Sequence, residues 1–237
     1  MKLKHVKSIL AAFALVLTVG ILAACGKGQK QFEQGEKAFK AKDYETAITQ
    51  FKLAAEQGNA DAMNRLAECY LNGYGVEKDA MEAGKWYTEA KNNGPKNTDV
   101  NIHVIEYYEK ANQGLAEGFS SFGDLYAGEA VGSSSVKEDI WEAVKWYKKA
   151  AEQGDIHAML TLGLLYERGD NGVRKDLKEA EKWFRMAVEK GNAHAMFLLG
   201  TLYVGFTENK DEGRALVRQA AEKGDEKAKE LLEGWNR

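Results

Sequence analysis

Trp146-Tyr147-Lys148-Lys149-Ala150 runs on to Gly154, and shortly afterwards comes Ala158-Met159-Leu160-Thr161-Leu162-Gly163-Leu164-Leu165-Tyr166. Both halves of this stretch return elsewhere in the chain. Trp86-Tyr87-Thr88-Glu89-Ala90 leads to Gly94, and Trp183-Phe184-Arg185-Met186-Ala187 leads to Gly191. Phe51-Lys52-Leu53-Ala54-Ala55-Glu56-Gln57-Gly58 and Ala220-Ala221-Glu222-Lys223-Gly224 close the same way without the tryptophan. The second half matches Ala62-Met63-Asn64-Arg65-Leu66-Ala67-Glu68-Cys69-Tyr70 and Ala195-Met196-Phe197-Leu198-Leu199-Gly200-Thr201-Leu202-Tyr203, with Phe119 to Tyr126 a fourth copy.

Apolar positions three, four and seven apart trace one face of an α-helix. A glycine ending each tryptophan-bearing half suits a helix C-terminus, where the left-handed backbone costs glycine little. The unit is therefore a helix A, a glycine-bearing loop and a helix B, with Asp79, Asp139, Asp176 or Asp211 at the cap or first turn of the second helix. With a single proline, Pro95, and no alternating apolar stretch, strands are not expected.

On these residues the chain resembles the Sel1-like repeat proteins, relatives of the tetratricopeptide repeats, across essentially all of residues 31–234. The opening pair around Asp43-Tyr44-Glu45-Thr46-Ala47 looks more like a plain tetratricopeptide unit. The resemblance implies an all-α fold, a right-handed α-α superhelical solenoid of Sel1-like and TPR-like helix pairs. Physics asks for the same arrangement, because a lone helix pair cannot bury both apolar faces and must stack on a neighbour. Ala67, Gly123, Gly163 and Gly200 are small enough to let helix A approach helix B, while Leu231, Leu232 and Trp235 are placed to cap the array. The recurrence of the tryptophans at helix spacing marks them as core and not as a glycan-stacking platform.

The closing glycines lie 36, 20, 40, 37 and 33 residues apart from Gly58 to Gly224. The 20-residue interval holds one helix, roughly Asp99 to Asn112, which interrupts the alternation of A and B. Residues 31–94 are thus expected to form one set of repeats, 95–114 a half repeat acting as a joint, and 115–237 a second set with a capping helix.

The N-terminus has the layout of an export signal. Lys2, Lys4 and Lys7 precede an apolar run of 16 residues from Ile9 to Ala24, short of the ~20 that span a bilayer. Leu22-Ala23-Ala24-Cys25 resembles a lipobox, which implies cleavage after residue 24, acylation of Cys25 and a lipidated tether over residues 25–30. Two or three acyl chains hold a protein on a membrane where one does not. Gly26 stands where an aspartate would resemble an inner-membrane retention signal, so the periplasmic face of an outer membrane is favoured in a two-membrane cell. Loss of residues 1–24 moves the formal charge from −3 to −6, since three lysines leave. That mild acidity argues against a nucleic-acid partner. Cys69 has no intramolecular partner once Cys25 is used, and reads as a small buried hydrophobe in the place of Leu125, Leu165 and Leu202.

Catalytic patterns are weak, and no cofactor is implied. Ser134-Ser135-Val136-Lys137 fits the Ser-x-x-Lys pattern of penicillin-recognising enzymes, but it lies in a loop without its companion motifs. A hydrolase acting on β-lactams or peptidoglycan fragments, as in cysteine-rich relatives of this family, is the enzymatic alternative; a peptide or glycan carrier is another. His157 and His194 hold equivalent positions in successive repeats, too far apart to share a zinc ion at ~2 Å from each, so no metal is expected.

By the resemblance, a concave groove is lined by helix A residues. These are Asp61, Asn64 and Glu68, then Glu117, Ser120 and Asp124. Next come His157, Leu160, Leu164, Glu167 and Arg168, then His194, Phe197 and Thr201. The groove would be acidic early and apolar late. Leu160, Leu164 and Phe197 are the positions that solvent exposure explains least well, because clustered exposed apolar residues mark interaction. The expected function is a membrane-anchored lipoprotein scaffold that holds an envelope protein or peptide in this groove, as a secretion or surface-assembly adaptor without catalysis.

Overall fold

Asp79, Asp139 and Asp176 start their helices from outside. In each, one carboxylate oxygen accepts from the backbone N–H three residues on, at Glu82, Glu142 and Glu179, over 2.9–3.1 Å. Asp43, Asn59, Asp155 and Asn192 do the same for the helices that follow them. Caps of this kind contribute about 1 kcal/mol each. At the last B helix Asn209 takes the cap position and Asp211 lies in the first turn.

A computed structural model describes residues 26, 28–95, 100–130, 136–169 and 172–235. Cys25 and the rest of the expected signal lie outside the described residues, as do Ser134 and Ser135 of the Ser-x-x-Lys sequence. Among the described residues there are twelve helices and no strand. They are α1 (Gln29–Lys40), α2 (Tyr44–Glu56), α3 (Ala60–Asn72), α4 (Ala80–Asn93), α5 (Ile102–Asn112), α6 (Ala116–Ala127), α7 (Ile140–Glu152), α8 (Ile156–Arg168), α9 (Leu177–Glu189), α10 (Ala193–Phe206), α11 (Lys210–Glu222) and α12 (Glu226–Trp235). None is long and apolar enough to cross a membrane.

The chain divides into two compact units, with the boundary inside α5 between Tyr108 and Glu109. In the first unit α1 pairs with α2 and α3 with α4. Phe51, Leu66, Ala47, Ala54, Ala62 and Cys69 form its core, each no more than 1% exposed. Helix α1 starts at Gln29, two residues inside the expected tether. Gly28 before it is buried with a left-handed backbone (φ +74°), and a Cβ there would meet Ala54 O at 2.6 Å. In the second unit α6 pairs with α7, α8 with α9 and α10 with α11, and α12 lies on α11.

The close approach of helix A to helix B works as the small residues require. A Cβ on Gly123 would lie 2.5 Å from the ring of Tyr147, and Gly163 and Gly200 are equally filled by Phe184 and by Val217 with the Gly213 carbonyl. Gly35 of α1 fits the same device against Phe51, although nothing in the repeat comparison had singled it out. Tyr147, Phe184, Tyr126, Tyr203, Phe122 and Leu162 are fully buried, and Trp146 and Trp183 nearly so, which places the aromatic repeats in the core.

Candidate binding face on the A helices

Each A helix turns one face to its own B helix and leaves another facing outward, and the groove positions were drawn from that second face. Asp124 of α6 is the most engaged of them. Its Oδ1 accepts from the Tyr147 hydroxyl at 2.8 Å and pairs with His157 Nε2 of the next A helix at 3.1 Å. This hydrogen bond raises the His157 imidazole above its ordinary value, against the opposing effect of partial burial, with Asp155 and Glu129 adding to the rise. Burial and Asp124 together push the Tyr147 phenol up, so it stays protonated.

Neighbouring positions form similar bridges between successive A helices. Ser120 is buried, and its hydroxyl donates to Asp155 Oδ1, the α8 cap, at 3.2 Å. His194 Nδ1 meets Asp225 Oδ2 ahead of α12 at 2.8 Å. In the first unit Glu36 of α1 binds Arg65 Nε of α3 at 2.7 Å, and Arg65 Nη1 also reaches Glu68 at 2.7 Å. Glu36 and Asp124 both follow the small glycine of their A helix, so one repeat position supplies the carboxylate in both units. Ser120, Asp124, His157 and His194, expected from the sequence to be free groove positions, bridge neighbouring repeats instead. Neither histidine is held by a metal-like set, and among the described residues no group of three or more His, Cys, Asp or Glu could hold an ion.

The apolar positions also differ from the expectation of open exposure. Leu160 and Leu164 are half-buried and pack against Phe184, Leu199, Leu202 and Tyr203, because an A helix faces the next repeat as well as its own partner. Phe197 is half-buried against Met196, Val217 and Ala228, and its ring stacks on His194 at 5.7 Å. Thr201 turns its hydroxyl to the Leu198 carbonyl at 2.9 Å. Asp61, Glu117 and Arg168 are exposed, Glu117 beside Lys110 at 2.5 Å. Asn64 and Glu167 are half-buried, and burial pushes the Glu167 carboxyl up against the pull of Arg168 and Lys175. What remains outward is a strip of partly buried apolar side chains, Leu160, Leu164 and Phe197, with the held His157 and His194 beside it.

Two concavities lie away from this strip. One, of about 560 Å³, is lined by Arg214, Arg218, Leu232 and Trp235 between α11 and α12. The other, of about 360 Å³, runs along α9 between Lys178 and Glu189. Exposed aromatics also occur at Trp141 and Phe206, each 55% exposed. The first concavity is not legible in the sequence, because two arginines one turn apart read as an ordinary solvated face.

An all-α array of stacked helix pairs, with its polar side chains spent on bridges between repeats, defines a helical repeat protein. The Sel1 repeat family matches residues 27–59, 60–95, 126–155, 156–192 and 193–225, more than half of the chain, and the chain belongs to that family. The first match covers the opening pair, which is therefore a Sel1 repeat and not a plain tetratricopeptide unit. The single helix α5 falls in the unmatched interval.

A Sel1 repeat protein from Oxalobacter formigenes is 32% identical over 83% of this chain and 86% of its own, with a TM-score of 0.47. A protective antigen present in uropathogenic Escherichia coli strains is 26% identical over 86% of this chain and 48% of its own, with a TM-score of 0.47. An exopolysaccharide production negative regulator from Rhizobium leguminosarum bv. viciae is 29% identical, covering 58% of this chain and 62% of the relative. The chain thus spans less than two thirds of the curated relative's length.

Proposed function

We propose that this Sel1-repeat chain is a membrane-anchored lipoprotein scaffold that binds an envelope protein or peptide along its A-helix face and performs no catalysis. The observation that carries the reading is the strip formed by Leu160, Leu164 and Phe197. These side chains are partly buried on successive A helices, with His157 and His194 held beside them by Asp124 and Asp225 and the exposed Arg168 one turn beyond Leu164. Covering the part of each that remains open would contribute less than about 1 kcal/mol, so a partner helix or extended peptide gains several small terms. The rigidity supplied by the bridges between A helices lowers the ordering cost of binding. Similarity to a negative regulator of exopolysaccharide production supports a surface-polysaccharide system as the setting. Anchoring rests on the Leu22-Ala23-Ala24-Cys25 sequence.

The test is site-specific photo-crosslinking in intact cells from positions 160, 164 and 197, compared with position 53 on α2. A discrete crosslinked species from the strip and none from position 53 is expected, and adding Arg168→Glu should thin it without moving the melting temperature. Equal smearing from all positions would sink the reading. In parallel, Cys25→Ser is expected to abolish palmitate incorporation and leave the precursor uncleaved; label persisting in the mutant refutes the anchor.

A further inference from the structure

The concavity between α11 and α12 is lined by Arg214, Arg218, Leu232 and Trp235. Helix α12 has the register of an A helix, 33 residues beyond α10: Ala228 repeats Ala195, Leu232 repeats Leu199 and Trp235 repeats Leu202. Ala228 is fully buried, as Ala195 is. Leu199 and Leu202, however, are closed over by B helices on both sides, at 2% and 0% exposure, whereas Leu232 is half-buried and Trp235 is 39% exposed. Apolar positions that elsewhere are covered by a following B helix have no such cover among the described residues.

The charges around the opening say what would cover it. Arg218 is the repeat equivalent of Arg185, again 33 residues on. Arg185 Nη2 faces Glu212, in the first turn of the following B helix, at 3.8 Å. That acid recurs in the first turn of the B helices as Glu82, Glu142 and Glu179. Arg218 makes no ion pair among the described residues, and Arg214, one turn before it, reaches only Asp211 at the limit of 4.0 Å. Two like charges four residues apart on a helix repel, so an anion between them relieves that repulsion while Leu232 and Trp235 take an apolar face.

We propose that this concavity is a docking site for an amphipathic helix of a partner protein, one that carries an acidic residue in its first turn and lies on α12 as the next B helix would. The site is distinct from the A-helix strip and stands without it.

The probe is a fluorescein-labelled peptide of residues 176–190, an authentic B helix with Glu179 in its first turn, titrated against the full chain by fluorescence anisotropy. Saturable binding is expected. Arg218→Glu should weaken it about tenfold or more, the usual effect of reversing one member of a close charge pair, and Leu232→Asp should abolish it. Pairing Arg218→Glu with a peptide carrying Glu179→Lys should restore it. Arg168→Glu, on the strip, should leave it unchanged, so failure here does not touch the strip. Circular dichroism melts report whether each variant folds, and the charge-swap rescue holds even where Leu232→Asp does not fold. No saturable binding, binding indifferent to Arg218, or an Arg218-dependent self-association seen in sedimentation would overturn the proposal.

Discussion

Asp124 accepts from Tyr147 and pairs with His157, so the two A helices it joins are tied through a titratable imidazole. Because the folded imidazole is raised above its ordinary value of about 6.5, the protonated form is the one that folding favours. That stabilisation is complete below the unfolded value and is lost as pH rises through the folded one. The melting temperature of the parent is expected to exceed that of His157→Ala below the ordinary imidazole value, and the difference to fade as pH rises through the raised folded one. At 58% side-chain exposure the effect stays below about 1 kcal/mol. A pH-independent difference would show that His157 acts through packing alone.

The tryptophans give the opposite kind of case. Trp86, Trp146 and Trp183 each bury an indole N–H that finds no acceptor among the described residues. Their burial was legible from repetition, but the missing acceptor was not, since it depends on which carbonyls the neighbouring helix has already used. Removing a desolvated donor offsets lost ring contact, so Trp183→Phe is expected to change stability by no more than about 1 kcal/mol. Trp183→Ala should cost about 3–5 kcal/mol. If the two variants melt alike, the N–H has a partner after all.

At the scale of one helix, glycine has two meanings that sequence alone leaves unseparated. Gly123 in α6 admits the Tyr147 ring, which is fully buried and cannot retreat. Gly205 in α10 faces open space. Gly123→Ala is therefore expected to lose about 1–3 kcal/mol through overpacking, while Gly205→Ala gains about 0.5–1 kcal/mol from helix propensity. Chemical denaturation of both variants measures the contrast directly. Cys69 in α3 follows the first pattern, for burial pushes its thiol up to about 12, and it should resist alkylation until the first unit unfolds. The outward positions of the A helices were harder to read. Leu160 and Leu164 fall off the stripe that meets their own B helix, yet they pack on the following repeat, and a single-helix periodicity does not show a second neighbour.

For the whole chain, repetition made the helix pairs, their order and the odd single helix legible, because each repeat reports on the others. Partners 31–35 residues apart, such as Ser120 with Asp155 or His194 with Asp225, were not legible, since they join positions that differ between repeats. Repeat arrays sum nearest-neighbour terms. Residues 109–237 alone are expected to melt cooperatively with helical circular dichroism, above residues 28–108 in midpoint. A longer piece that is unfolded on its own would show that the two units share one cooperative core.

Gly28 is pressed against Ala54 at the start of α1. With Cys25 acylated as proposed, three peptide steps separate lipid from folded body, about 10 Å at full stretch. A body on so short a leash does not cast into the surrounding fluid for its partners. So anchored, it would meet them by drifting sideways in the lipid sheet, and the crowding of both molecules on that surface, more than their bulk abundance, would set how often they are joined.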